Sequence, residues 1–258
     1  MGNQNKSEFK RWYDDDKITF HSEHKVQFSQ ADSQKQLSFY ELLKVTSDMA
    51  VEDYALQGMN RDMLTAHGYA CLVSRVAFRF HRMPRENERY LFTTYEEKAE
   101  PLQLVRAYEF TAEDGTPLIT GLSSWLLVDP VAHRIIPTKK FDLRPPVESQ
   151  KEHDCMKYGK IAIPEQLDLL YERTILYSDI DGNGHVNNAR YGAFVADAIP
   201  AHLRGKTFTD FRLNYAKEAK LGDKLSVYGH IDAEAKKITI VGKTSDGVSF
   251  ESELYWKD

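Results

Sequence analysis

The chain reads as an α+β protein built twice over, each half an antiparallel sheet wrapped around one long central helix. Three observations predict this. The chain has 258 residues, comfortable for two domains of about 120–130 residues each. One order of elements, strand, helix, then four strands, runs through it twice. Short stretches of the two runs also fall on one another at constant offsets.

The first run opens with a strand-like stretch at 18–28 and a helix at 37–59. Phe39, Leu42, Leu43, Met49 and Ala50 supply that helix with apolar surface, and no proline interrupts it. Strand-like runs follow at 71–83, 90–97, 102–111 and 118–129, the last two separated by a turn at Glu113, Asp114, Gly115 and Thr116. Residues 139–160, with Pro145, Pro146 and many charges, read as a linker. The second run gives a strand at 169–177, a helix at 187–203, and strands at 211–215, 224–231, 237–243 and 248–256. Phe28, Ser29 and Asp32 fall on Tyr177, Ser178 and Asp181, 149 positions apart as 28 is from 177. Val76, Phe78 and Phe80 fall on Phe211, Leu213 and Tyr215, 135 positions apart as 76 is from 211. The expected domains are therefore 17–138 and 161–258, joined by 139–160 and preceded by a polar, disordered tail at 1–16.

Composition narrows the function. Hydrophobic residues make up 41% of the chain, enough for a sizeable core. A net charge of −5 argues against a nucleic-acid partner, which needs a basic surface. The two cysteines, Cys71 and Cys155, make no disulfide framework and no CxxC metal pair, which fits a reducing compartment. No apolar run reaches the roughly 18 residues of a membrane span, and 1–16 has no apolar signal region. Met1 and Gly2 invite a myristoylation reading, but Lys6 stands where that motif wants Ser or Thr. The cytoplasm is the default location.

The chemistry concentrates in 177–191, between a strand and a helix. If the approach is extended, Asp181, Asn183 and His185 share one face. Gly182 and Gly184 between them let a ligand come close, Asn187 or Asn188 can cap the helix, and the helix start can stabilise an oxyanion. A carboxylate, an amide and an imidazole beside an oxyanion site suit acyl transfer to water. Two plainer readings compete. The stretch could be a solvated turn. It could also be a calcium loop, since Asp179, Asp181, Asn183 and Gly184 match its first, third, fifth and sixth positions; Arg190 at the twelfth, where a bidentate Glu is needed, breaks that match.

Asp181, Asn183, His185, Val186, Asn187 and Asn188, with Tyr191 three residues on, resemble the signature of the acyl-acyl carrier protein (acyl-ACP) thioesterases of plants and bacteria. Leu213 to Ala219 is similar to a second block of that family, which carries a catalytic-site glutamate, here Glu218. The likeness extends, more loosely, through Leu72 to Lys98 and the strand of Ser124 and Trp125. The resemblance implies a tandem double hot-dog fold and hydrolysis of the thioester joining a fatty acid to carrier protein. It implies Asp181, Asn183, His185 and Glu218 as site residues, no cofactor and no metal. Many plant members have Cys after the glutamate; Ala219 stands there, so no thiol nucleophile acts at that position. The plastid transit peptide of plant members has no counterpart here, so a bacterial, cytoplasmic enzyme is expected.

In the first half, Gln34 and Gln36 fall on Asn183 and His185, so that half is expected to have lost its site and to shape the acyl pocket. The other histidines show no metal-site pattern. The partner implied is an acidic carrier protein, and two basic patches are expected to meet it: Lys217, Lys220 and Lys224 near Glu218, and Lys139, Lys140 and Arg144 in the linker. A homodimer is one arrangement this leaves open. The alternatives are an acyl-coenzyme A thioesterase using the same site, and a non-catalytic hot-dog protein that binds lipid or a partner.

Overall fold

The computed structural model describes residues 9–258. In chain order they form β1 (Arg11–Tyr13), β2 (Phe20–Lys25), α1 (Phe39–Leu56), α2 (Arg61–Ala66), β3 (Ala70–Phe80), β4 (Arg89–Glu100), β5 (Gln103–Ala112), β6 (Pro117–Asp129) and β7 (Arg134–Ile135). The second half adds β8 (Asp168–Thr174), α3 (Arg190–Asp197), β9 (Thr207–Tyr215), β10 (Lys224–Asp232), β11 (Lys237–Thr244) and β12 (Gly247–Lys257).

All the strands join one 12-stranded antiparallel sheet in the order β1-β2-β4-β5-β6-β3-β9-β12-β11-β10-β8, with β7 against β6. The order β2-β4-β5-β6-β3 of the first half recurs as β8-β10-β11-β12-β9 in the second. The halves meet where β3 pairs with β9, from Arg75 opposite Asn214 to Arg79 opposite Asp210, with Ala77 opposite Arg212. Strand residues alternate between faces. Phe78, Phe80, Phe211 and Leu213 therefore point to the helix side, where Phe39 at the start of α1 stacks on Phe80 and Phe211 at ring distances of 5.8 and 5.2 Å. One hydrophobic core runs through both halves under α1 and α3.

The opposite face carries Arg79, Arg212 and Asn214, and the connecting segment lies across it. Arg79 pairs with Asp154 at 2.7 Å, Asn214 donates to the Gly159 carbonyl at 3.0 Å, and Arg212 to the Lys160 carbonyl at 3.2 Å. On β4, Glu97 accepts from the Lys151 N–H at 2.9 Å and contacts His153 at 3.0 Å. The segment is a strap bonded to both halves. Its first part closes a smaller core in which Phe141 packs with Tyr54, Met59, Leu64, Tyr69 and Leu127.

Several expected boundaries move. The tail expected to be disordered through Asp16 instead contributes β1, paired with β2, and Tyr13 donates to Asp53 at 2.6 Å; residues 1–8 of that tail lie outside the described residues. The helix expected at 37–59 starts one residue after Ser38, whose hydroxyl accepts from the Glu41 N–H. The helix expected at 187–203 is shorter: α3 ends at Asp197, just before Pro200, whose ring cannot continue an α-helix, and a 3-10 turn follows at Ala201–Leu203. The strands expected to run to Phe28 and Tyr177 stop earlier, giving way to matching 3-10 turns at Phe28–Gln30 and Tyr177–Asp179.

The two helices meet near their starts at Gly192. A Cβ there would lie 2.5 Å from the Phe39 carbonyl oxygen and 2.9 Å from the Tyr40 nitrogen, both backbone atoms that cannot swing away. Gly192→Ala must push α3 off α1. It is expected to destabilise the chain by about 1–3 kcal/mol, read as a lower urea midpoint with an unchanged slope.

Candidate active site

The site loop begins where β8 ends. Tyr177–Asp179 make one 3-10 turn, and Asp179 then turns inward with no exposed surface. A buried carboxylate must be paired, and this one is. It accepts from Arg173 at 2.6 Å, from Arg190 at 2.7 and 2.9 Å, and from the Leu176 N–H at 3.0 Å. Arg190, the residue that breaks the calcium pattern, thus holds the loop to the first turn of α3. Burial pushes the Asp179 carboxyl up, but the Leu176 N–H and the Arg190 and Arg173 guanidiniums outweigh it and hold the group below the usual carboxylate range.

Residues 181–185 do not run extended. The Asp181 N–H donates to the His185 carbonyl at 2.9 Å and the Gly184 N–H to the Asp181 carbonyl at 3.0 Å, so the segment folds into a closed turn. Gly184 sits at φ +82°, a conformation that suits glycine. Face-sharing by alternation therefore does not bring Asp181, Asn183 and His185 together. Instead the Asp181 carboxylate accepts from the Asn183 backbone at 2.8 Å and lies 3.5 Å from its side-chain amide.

His185 is turned toward the other candidate. The Val186 N–H donates to the Ala219 carbonyl at 2.9 Å, drawing the loop against the segment that leaves β9. That bond places His185 Nε2 3.0 Å from Glu218 Oε2. The two side chains are 32% and 53% exposed, so the pair is open to water and to a substrate. The four predicted residues thus fall into two contacts, His185 with Glu218 and Asp181 with Asn183.

At the helix start, the Asn187 N–H donates to the Asp179 carbonyl, and the Arg190 N–H to the Asn187 carbonyl, each at 2.9 Å. The Ala189 N–H donates to Asn187 Oδ1 at 2.9 Å, so the Asn187 side chain closes a turn just ahead of α3, whose N-cap position is Ala189 and carries no side-chain cap. Fewer N–H groups are therefore left for an oxyanion than the sequence suggests. Neither thiol of the chain is a nucleophile in waiting: burial pushes Cys71 up to about 12 and Cys155 up to about 11. Of the basic residues expected to meet a partner, Arg144 is taken by Glu96 inside the fold, Lys224 by Glu172 at 2.8 Å, and Lys217 by the Asp246 carbonyl. The linker patch is corrected accordingly: Arg144 is not part of it.

The first half repeats the turn bond for bond. The Asp32 N–H donates to the Gln36 carbonyl at 2.7 Å, the Lys35 N–H to the Asp32 carbonyl at 3.0 Å, and the Leu37 N–H to the Pro84 carbonyl at 2.8 Å. By that register Gln36 stands at the place of His185, and Met83 at that of Glu218. The backbone cradle is kept and the titratable pair is gone.

The acyl-ACP thioesterase N-terminal domain matches residues 17–140, and the C-terminal domain of the same family matches residues 166–254. The chain belongs to the acyl-ACP thioesterase family. As a member it is a thioester hydrolase whose substrate is fatty acyl-ACP. Solved structures share its fold. An acyl-ACP thioesterase from Bacteroides thetaiotaomicron is 22% identical, with a TM-score of 0.84 over 94% of this chain and 98% of that one. A 12:0-ACP thioesterase from Umbellularia californica is 14% identical, with a TM-score of 0.78 over 93% of this chain and 97% of that one. No curated protein matches the sequence. Among the described residues, no helix is long and apolar enough to cross a membrane.

Sequence reasoning did not single out Asp179 and Arg173 as the anchor of the site; the available signal was an acidic residue amid a strand end and a helix start that both carry arginine. The depressed Asp179 group contributes stability that is present above its unfolded value of about 3.9. That stability is lost as pH falls through the lower folded value. Acid unfolding of Asp179→Asn, followed by circular dichroism, is expected to show a weaker dependence on pH below about 4 than the wild type, from a lower starting stability.

Proposed function

We propose that fatty acyl-ACP is hydrolysed in the second half of the chain by Glu218 and His185, with Asp181 and Asn183 in support. The observation that carries this is the 3.0 Å contact between His185 Nε2 and Glu218 Oε2 at a solvent-open surface. A carboxylate and an imidazole in contact can take a proton from water and return it to a leaving group. Glu218 draws the proton from a water molecule, and the hydroxide adds to the thioester carbonyl. The developing oxyanion is met by the Asn183 amide and the Asn188 N–H at the start of α3. When the carbon–sulfur bond breaks, the proton passes through His185 to the sulfur, and both side chains end as they began. Asp181 orients Asn183, whose N–H donates to it at 2.8 Å, while Glu218 is the carboxylate in contact with His185.

The repeated strand order supports reading the chain as two hot-dog units in tandem, 17–138 and 161–258, joined by 139–160. The first unit, with Gln36 and Met83 in the catalytic places, shapes the acyl pocket. All four site side chains belong to the second unit of one chain, so a single copy suffices for the chemistry. Two unpaired cysteines fit a reducing, cytoplasmic setting in a bacterium. Lys220, Lys139 and Lys140 remain as the basic residues facing an acidic carrier protein.

Glu218→Gln keeps the shape and removes the base. It and His185→Ala are each expected to lower kcat for acyl-ACP about a hundredfold or more while the fold persists. Ala219→Cys is expected to change little. Wild-type turnover in folded Glu218→Gln would remove Glu218 from the mechanism. Assayed across chain lengths, acyl-ACP is expected to give a higher kcat/KM than the matching acyl-coenzyme A thioester, and the reverse order would favour coenzyme A as the substrate.

A further inference from the structure

The backbone carrying Glu218 is fixed at both of its neighbours. On one side Ala219 accepts from Val186, as described above. On the other, the Ser249 hydroxyl of β12 donates to the Lys217 carbonyl at 2.9 Å, and the Ser249 carbonyl accepts from the N–H groups of Ala216 at 2.9 Å and Lys217 at 3.3 Å. The Ser249 oxygen lies 3.2 Å from the Tyr191 hydroxyl. With its own proton committed to Lys217, Ser249 is the acceptor and Tyr191 the donor. Both residues are buried, at 1% and 4% exposure.

The Tyr191 ring is held edge-on by Tyr215 and Phe250, each at 5.4 Å, and by Phe194 at 5.6 Å. A phenylalanine would satisfy that packing. The hydroxyl is a polar group that must be bonded to be tolerated there. Burial raises the phenol above its ordinary range, the Ser249 and Ala219 hydrogen bonds oppose this, and the Glu218 and Asp181 charges add to it.

The first half supplies an internal control. There the N–H groups of His81 and Arg82 donate to the Leu118 carbonyl at 3.0 and 3.2 Å, as Ala216 and Lys217 do to Ser249. Leu118 therefore occupies the place of Ser249. Counted from the matching turns, Leu42 occupies that of Tyr191. Both leucines are fully buried. The half that lacks the imidazole and the carboxylate also lacks both hydroxyls, although its backbone is the same.

We propose that Tyr191 and Ser249 are positioning residues for the reaction: through the Lys217 carbonyl they set the Glu218 carboxylate against His185. This rests on the reading of Glu218 and His185 as the reacting pair.

The test uses the full chain and an acyl-ACP substrate. Ser249→Ala and Tyr191→Phe are each expected to lower kcat about tenfold, as small misplacements of a reacting group do. KM should stay within about twofold, and the melting temperature within about 4 °C, the scale of one lost hydrogen bond. Ser249→Thr, which keeps the hydroxyl, should recover most of the rate. Added to Glu218→Gln, Ser249→Ala should cost almost nothing more, because the carboxylate it positions is already gone. The proposal is overturned if both hydroxyl variants turn over at the wild-type rate while Glu218→Gln is impaired. It is equally overturned if Ser249→Ala costs as much in the Glu218→Gln background as alone. Wild-type turnover by Glu218→Gln itself would instead show that the underlying reading of the pair has failed, and the positioning role would fall with it.

Discussion

The pairing of β3 with β9 is the constraint on which the rest of the molecule depends. It joins the seven strands of the first half and the five of the second into one continuous sheet, with Ala77 opposite Arg212 at the midpoint of the pairing. The two residues stand at the same place in the two repeats, so an approximate two-fold axis passes between them. Side-chain alternation then commits Phe78, Phe80, Phe211 and Leu213 to the helix side and Arg79, Arg212 and Asn214 to the strap side. The helices have no freedom to spread apart, since they share one core and touch backbone to backbone at Gly192. The start of α3, and with it the 181–185 turn, is thereby placed against the segment that leaves β9. A slip of one residue in this pairing would exchange the faces and leave the aromatic residues facing the strap.

Within that frame the turn that carries the site keeps its backbone in both halves while its side-chain chemistry diverges. Asp32 and Asp181 close the same turn with the same hydrogen bonds. Around it, Gln36, Met83, Leu42 and Leu118 stand where His185, Glu218, Tyr191 and Ser249 do. The change is coherent in physical terms. Tyr191 and Ser249 satisfy one another and the Lys217 carbonyl, while leucines at the corresponding places need no partner and fill the space. Even the anchor follows this rule: the buried Asp179–Arg190 ion pair corresponds to a Gln30–Glu41 hydrogen bond of 3.0 Å in the first half.

The first half carries its own buried charges, used for a different purpose. Arg106, at 3% exposure, lies 2.7 Å from Asp53 of α1 and 4.0 Å from Glu96 of β4, and Arg144 from the connecting segment completes the pairing of Glu96. Removing one member would leave the others buried without compensation. This cluster binds the strap to the underside of α1, and the Glu97–His153 contact binds it to the other face of β4. A segment that looks like a flexible linker by its prolines and charges is therefore part of the folded body.

What the sequence determined by itself was local: the order of strands and helices, the repeat registers, and the segment rich in Asp, Asn, Gly and His. Periodicity, turn residues and motif spacing are properties of short windows, and they survive into the structure wherever neighbouring residues decide the outcome. The tertiary structure decided which distant groups meet. Alternation suggested that Asp181, Asn183 and His185 share a face, but the Asp181–His185 and Gly184–Asp181 backbone hydrogen bonds close the turn, and the Val186–Ala219 bond draws it to the segment where His185 meets Glu218. Arg144 reads as a surface cation until Glu96 is seen beneath it. Ser249 reads as an ordinary strand residue until the pairing of β12 with β9 carries it to the Lys217 carbonyl. Such contacts depend on sheet register and on which faces are buried together, and both are set by the whole fold rather than by any stretch of sequence.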